Sequence, residues 1–214
     1  MRDSANRSRA LFIATLCGSL LPLASQAAES SAPVQATWKT QEIRYSYTGF
    51  TTAYDCDAAE DRIKAILRKV GAHEQTRVMA QGCTLNRPSR NFFVTITTAA
   101  PVPLADAPPK AETTTSRDEL LKRLGVASTK LDETFPAEWK TIELSRDRKL
   151  DLEPGDCELM EGLRDHVFPK LGVKIVADQV KCIPRQVSIQ TPELTVSALV
   201  ALPKPDAPAG KTKS

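Results

Sequence analysis

The sequence predicts an α+β protein made of two tandem strand-helix-strand-strand units, each closed by one disulfide, on a mostly antiparallel sheet. Three observations lead there: an internal repeat, a switch of hydrophobic period inside each half, and cysteines spaced alike in both. Residues 38–71 laid over 139–172 match without a gap at an offset of 101. Trp38, Lys39, Thr40, Glu42, Asp55, Cys56, Glu60, Lys69 and Gly71 have identical counterparts, and Ile43, Asp57, Ile66, Leu67 and Val70 conservative ones. Shared Trp, Cys and Gly at one offset indicate an internal duplication.

The first ten residues carry three arginines, the apolar run "LFIATLCGSLLPLA" follows, and "SQAAES" supplies a small-x-small cleavage site. Residues 1–27 therefore read as a signal peptide cut after Ala27. The run is short for a bilayer span, and an uncleaved anchor is the competing reading. Residues 28–37 read as a flexible N-terminus, and 38–101 as the first unit.

In "TQEIRYSY", Ile43, Tyr45 and Tyr47 alternate with Glu42, Arg44 and Ser46, the period of a half-buried strand. From Asp57 to Val70 the period becomes helical, with Ile63, Ile66, Leu67 and Val70 on one stripe. Asp55, Asp57, Glu60 and Asp61 crowd the helix start, Arg68 and Lys69 its end, and Gly71 is placed as the C-cap. "TRVMAQGCT" and "NFFVTITTA" complete the unit as strands. Residues 102–137 read as a Pro/Ala-rich linker. It holds one short helix at 117–124, started by the Ser116 and Glu119 capping box.

The second unit, 138–203, repeats the plan. "TIELSR" sends Ile142 and Leu144 inward, and Leu159, Met160, Leu163, Val167 and Leu171 give the helix its core face, with Pro169 cutting its last turn short. "VKIVADQVKCI" and a stretch over 186–202, interrupted at Pro192, supply the strands. The Lys/Pro tail 204–214 has no core-forming residues and reads as disordered.

Cys17 falls in the signal, leaving Cys56, Cys83, Cys157 and Cys182, and an even number in an exported chain points to disulfides. Four cysteines allow three pairings. Duplication of a closed unit selects Cys56 with Cys83 and Cys157 with Cys182, each loop contributing roughly 3–4 kcal/mol by chain entropy. A helix-start thiol would have its thiolate favoured by the dipole, but the surrounding carboxylates disfavour it. Calcium binding of the EF-hand kind lacks its glycine, and His73 and His166 fit no zinc spacing with the cysteines. No metal and no cofactor are expected. There is no Gly-x-Ser-x-Gly elbow, phosphate loop or His-Glu-x-x-His, so no catalytic residue is assigned. An enzyme would have to assemble its site from residues distant in sequence, with His73, His166 or a thiol taking part.

"YSYTGFTTAY" places Tyr45, Tyr47, Phe50 and Tyr54 where the second unit has "RDRKLDLEPG". In a chain with 5% aromatics that is a concentration. The four can cover the helix and disulfide as core or rim. Alternatively they form a binding surface, since Tyr and Phe carry much recognition energy; that surface is the candidate site, and it requires the four to point outward together. The net charge of +3 falls to about +1 without residues 1–27, which hold three Arg and one Asp. Such a balance calls for neither nucleic acid nor an anionic membrane.

The stretch "GFTTAYDCDAAEDRIKAILRKVGA" resembles a group of uncharacterised exported proteobacterial proteins. They share a Gly-Phe-Thr-Thr-x-Tyr-x-Cys-Asp segment, a helix, Gly-Ala and a later Gly-Cys. Gly49, Phe50, Thr51, Thr52, Tyr54, Cys56, Asp57, Gly71, Ala72, Gly82 and Cys83 carry the match. The resemblance implies export and paired cysteines and transfers no catalytic residue. Unit two departs from it except at Cys157, Gly172 and Cys182. The expected product is a periplasmic or secreted, non-catalytic binding or envelope-associated protein. Its partner would be an envelope protein or a small ligand, and the mature chain would have no transmembrane segment. A structural envelope protein tethered by the Pro/Lys tail is the remaining alternative.

Overall fold

A computed structural model of the chain describes residues 32–83, 87–107 and 133–203. The predicted signal peptide, the linker helix at 117–124 and the tail 204–214 lie outside these residues. The order is β1 (Val34–Thr48), α1 (Cys56–Lys69), β2 (Arg77–Gln81), β3 (Asn91–Pro103), β4 (Phe135–Glu143), α2 (Cys157–His166), β5 (Lys174–Asp178) and β6 (Leu194–Ala201). The six strands form one sheet in the order β2-β3-β1-β4-β6-β5, with every pair antiparallel. Each half has the same order read from opposite edges, and the halves meet where the two first strands pair.

That join corrects three boundaries. β1 starts at Val34 inside the expected flexible N-terminus, and the expected linker loses Val102 and Pro103 to β3 and 135–137 to β4. The cause is strand pairing: Ala36 lies between Pro103 on one side and Phe135 on the other, and Val34 faces Ala137. Pro101 and Pro103 fit a strand because the N–H they lack would point at no strand. The Ala99 carbonyl, of the same parity, accepts from the His73 N–H beyond the end of β2, and an open strand side is where proline is tolerated.

Alternation along β1, β4 and β6 assigns the two faces. Ile43, Tyr45 and Tyr47, Ile142, and Leu194, Val196 and Ala198 are buried on the helix side. The predicted helix stripes join them: Ile63, Ile66 and Leu67 from α1 and Leu159, Met160 and Leu163 from α2 are fully buried in the same cluster. One core therefore spans both units. Ala36, Ala137 and Leu199, of opposite parity, make a smaller cluster at the join with Val34, Phe135 and Trp139.

The tryptophans of the repeat stand at equivalent places there. Trp38 meets the His73 ring edge-on at 4.8 Å, while Lys174 Nζ lies 4.8 Å over the Trp139 ring. His73 and Lys174 are themselves 101 residues apart and each follows a helix-closing glycine by two. Gly71 has φ +90° and Gly172 φ +72°, a conformation that costs glycine nothing. A side chain at Gly71 would also meet the Leu199 carbonyl at 2.4 Å, so the end of α1 sits against the other half.

Pro169 acts as its position predicts. α2 ends at His166 and a 3-10 turn over Phe168–Leu171 replaces its last turn. The stretch expected as a strand over 186–202 is a strand only from Leu194. Val187 and Ile189 lie exposed before it, because Pro192 breaks the ladder. The second cysteines sit just past their strands, Cys83 after β2 and Cys182 after β5, rather than within them.

Candidate functional site

The segment peculiar to unit one leaves β1 at Thr48 and turns back toward α1. Its geometry depends on Gly49, where a Cβ would stand 2.4 Å from the Thr52 carbonyl and 2.5 Å from Tyr47 Oη. With no side chain there, the Gly49 N–H reaches the Arg90 carbonyl at 2.6 Å and Tyr47 Oη donates to the Thr52 carbonyl at 3.1 Å.

The tight turn aims three successive backbone N–H groups outward, and a carboxylate of the other unit occupies them. Phe50 N–H donates to Glu158 Oε1 at 3.0 Å, and the N–H groups of Thr51 and Thr52 approach Oε2 at 3.3 and 3.5 Å, with Thr51 Oγ1 at 3.3 Å. Converging amides of this kind form an anion-binding concavity. A few residues on, Tyr54 Oη donates to Asp156 Oδ1 at 2.6 Å and lies 3.4 Å from the Gly155 carbonyl. Asp156 is buried, and its second oxygen accepts from the Glu153 N–H at 2.8 Å, while Arg62 of α1 stands 3.7 Å from Oδ1.

Contacts also run the other way. Arg62 donates to the carbonyls of Leu150 and Asp151, the latter at 2.7 Å, and Lys69 pairs with Asp147. The side chains of α1 thus hold the loop of unit two that replaces the aromatic segment. The start of α2 holds the aromatic segment itself.

The expectation that Tyr45, Tyr47, Phe50 and Tyr54 form one outward surface is therefore corrected. Tyr45 is 8% exposed and Tyr47 2%, both on the inward face of β1; Tyr54 is partly buried against the core, and Phe50 alone is exposed, at 54%. Strand parity places Tyr45 and Tyr47 with Ile43, and the hydrogen bond to Asp156 draws Tyr54 inward. Tyr47 stacks on its cross-strand neighbour Phe92 at 4.7 Å and meets Tyr54 edge-on at 5.5 Å.

These surroundings suppress phenol ionisation. Burial pushes the pKa of Tyr45 well above the ordinary value. For Tyr47 burial acts first and the charges of Glu158 and Asp156 add to it; for Tyr54 burial acts first and its hydrogen bond to Asp156 second. Tyr45 Oη is buried and has no hydrogen-bond partner among the described residues.

Phe50 borders a cleft of about 250 Å³ between the units, lined also by Ser46, Thr48, Glu161, Asp165 and His166. His166 is exposed there and stacks over Tyr45 with centroids 6.3 Å apart. Asp165 is committed elsewhere: Arg164 grips both its oxygens, at 2.7 and 3.1 Å, and that hydrogen bond holds its carboxyl below the usual range. His73 Nδ1 accepts from the Gln75 N–H at 3.2 Å, and its ring packs on Trp38.

The four cysteines are joined as Cys56–Cys83 and Cys157–Cys182, with Cα separations of 5.9 and 5.7 Å. Each ties the first residue of a helix to the chain just after the next strand, so none of the four offers a thiol. Among the described residues no His, Cys, Asp and Glu side chains gather as a metal site, and no helix is long and apolar enough to cross a membrane.

Sequence reasoning missed Asp156, Glu158 and Arg62. The helix-dipole reading of the unit-one acids suits Asp55 and Asp57, which lie exposed, but not their unit-two equivalents. A turn special to one unit and acids at the helix start of the other were the available signal.

Fold and site together define a two-unit, disulfide-stapled α+β protein in which the helix start of one unit binds a turn of the other. Set against family models, curated proteins and solved structures, the chain matches none of them.

Proposed function

We propose that this is an exported, non-catalytic binding or envelope-associated protein, periplasmic or secreted, with its contact surface at the cleft beside Phe50. The observation that carries the reading is the division of labour in the aromatic segment. Tyr47, Tyr54 and the amides of 50–52 serve the join between units, which leaves Phe50 exposed as an aromatic at a cleft shared by both. An exposed aromatic at a concave site is a common anchor in recognition. The two disulfides favour an oxidising compartment outside the cytoplasm, in keeping with the basic and apolar N-terminal pattern and with the resemblance of the GFTT segment to exported proteins. The repeated tryptophan, glycine and cysteine positions support descent from a duplicated unit.

An enzyme reading keeps one foothold, the placement of His166 in the same cleft as Glu161 and Asp165. The tail-tethered structural reading rests on 204–214, outside the described residues. Affinity capture from an envelope extract, comparing the intact protein with Phe50→Ala and with His166→Ala, separates the first two. The binding reading expects a partner retained by the intact protein and by His166→Ala but lost with Phe50→Ala. Equal capture by all three removes the cleft as the contact surface.

A further inference from the structure

We infer, on the reading that the cleft beside Phe50 is the contact surface, that its occupant is an extended segment of another protein, which adds as a strand to the free edge of β1 and sets a basic side chain against the acidic side of the cleft. The two flanks of the unit-one strands differ. On the β2 flank, the Ala80 N–H that points away from β3 donates to Glu60 Oε1 of α1 at 2.8 Å, so the unit's own helix closes that edge. On the β1 flank, β4 pairs only with Val34–Ala36, and β1 runs on to Thr48. The Gly49 N–H donates to the Arg90 carbonyl on the β3 side. Odd residues of β1 therefore turn their backbone groups to β3, and even residues turn theirs outward. Among the described residues no hydrogen bond reaches the outward N–H and C=O groups of Thr40, Glu42, Arg44 and Ser46. An unpaired row of this kind is a template for another strand.

α2 stands beside that edge without closing it. Glu161, the counterpart of Glu60 at the repeat offset, bonds to no β1 backbone group and faces Arg164 at 3.6 Å instead. Between them lies the cleft of about 250 Å³, with Ser46 and Thr48 on the β1 side, Glu161 and Asp165 on the helix side, and Phe50 and Pro184 as apolar lining. A groove between an edge strand and a helix takes an extended chain through main-chain hydrogen bonds, and side chains then set the choice of partner. Charge sets it here. One guanidinium, that of Arg164, serves three carboxylates: Glu161 at 3.6 Å, Asp165 at 2.7 Å and Asp178 at 3.1 Å. Negative charge is left over on this side, and Lys181 and Arg185, the cationic neighbours of Cys182 and Pro184 in sequence, do not line the cleft. A cationic side chain on the arriving strand complements it, and the exposed Phe50 ring gives an apolar one a surface to pack on.

The test titrates the disulfide-bonded protein with the peptide acetyl-Val-Lys-Val-Lys-Val-amide, read by amide NMR shifts and by amide hydrogen exchange. Two controls leave the protein untouched: the same peptide N-methylated throughout, and the peptide with Glu in place of Lys. Strand addition should slow exchange at Arg44 and Ser46 by about tenfold or more at saturation, with less change at Tyr45 and Tyr47, which already bond to β3. Both control peptides should bind about tenfold more weakly or worse. Ser46→Pro removes an outward donor and leaves the β3 ladder intact, and it should weaken the Lys peptide by a similar factor. Three outcomes overturn the inference. Shifts confined to Phe50 and α2, with exchange at Arg44 and Ser46 unchanged, leave the cleft as a contact surface but remove strand addition. Equal binding of the N-methylated or the Glu peptide removes the backbone or the charge requirement in the same way. No shift anywhere up to millimolar peptide removes the extended occupant, and capture with Phe50→Ala then decides separately whether the cleft is a contact surface at all.

Discussion

Tyr54 and Glu158 show how two side chains lock two units. Tyr54→Phe keeps the ring against the core and removes the donor to Asp156, leaving that buried carboxylate with the Glu153 N–H and Arg62. The expected loss is about 1–3 kcal/mol in denaturant unfolding, the scale for stripping one partner from a buried charged acceptor. Glu158→Gln turns one of two accepting oxygens into a donor facing backbone N–H groups, with an expected loss of similar size. Glu60→Gln supplies the contrast, because the amide oxygen can still accept from Ala80; its effect stays within about 0.5–1 kcal/mol. If Tyr54→Phe proved neutral in the same titration, the contact to Asp156 would not support the join.

At the scale of elements, what could be read in advance was periodic and local. The alternation from Ile43 to Tyr47, the helical stripe from Ile63 to Val70 and the break at Pro169 all depend on near neighbours, and they stand in the structure as read. The ends of β1, β3 and β4 were not legible, because Ala- and Pro-rich segments carry little period and become strands only by pairing with one another. The loop over 179–193 failed for the opposite reason: "QVSIQ" alternates as a strand should, yet Val187 and Ile189 are exposed. The disulfides belong to this scale too. Replacing Cys157 and Cys182 together by Ala should lower stability by about 2–4 kcal/mol through restored loop entropy, read as a shift in denaturant midpoint. Titration of the denatured, unreduced protein should find no free thiol among these four, and thiol-reactive Cys56 or Cys157 would contradict the pairing.

The whole molecule is one folding unit of two similar halves, since both helices feed one cluster and the sheet runs across the join. Unfolding followed by tryptophan fluorescence and by far-UV circular dichroism should give one coincident transition, because Trp38 and Trp139 sit on either side of the join; two separated transitions would make the units independent. Acid should weaken it. Hydrogen bonds from Lys69 and from the Lys149 N–H hold Asp147 below the ordinary carboxylate range. Its contribution is present above that range and is lost as pH falls through the lowered value, though a pair whose lysine is open to solvent contributes little. The alkaline limb reports on the aromatic segment as an internal seam. Tyr45, Tyr47 and Tyr54 are all the tyrosines of the chain, and each has its pKa raised on folding. Their contribution is complete below the unfolded value near 10 and drains away as pH rises beyond it. Absorbance at the phenolate band, recorded with circular dichroism through an alkaline titration, tests this most directly. The expected record shows no phenolate step near pH 10 while the fold persists, and a single rise of all three phenols when it unfolds. Two or three tyrosines ionising reversibly near pH 10 in the folded protein would contradict it.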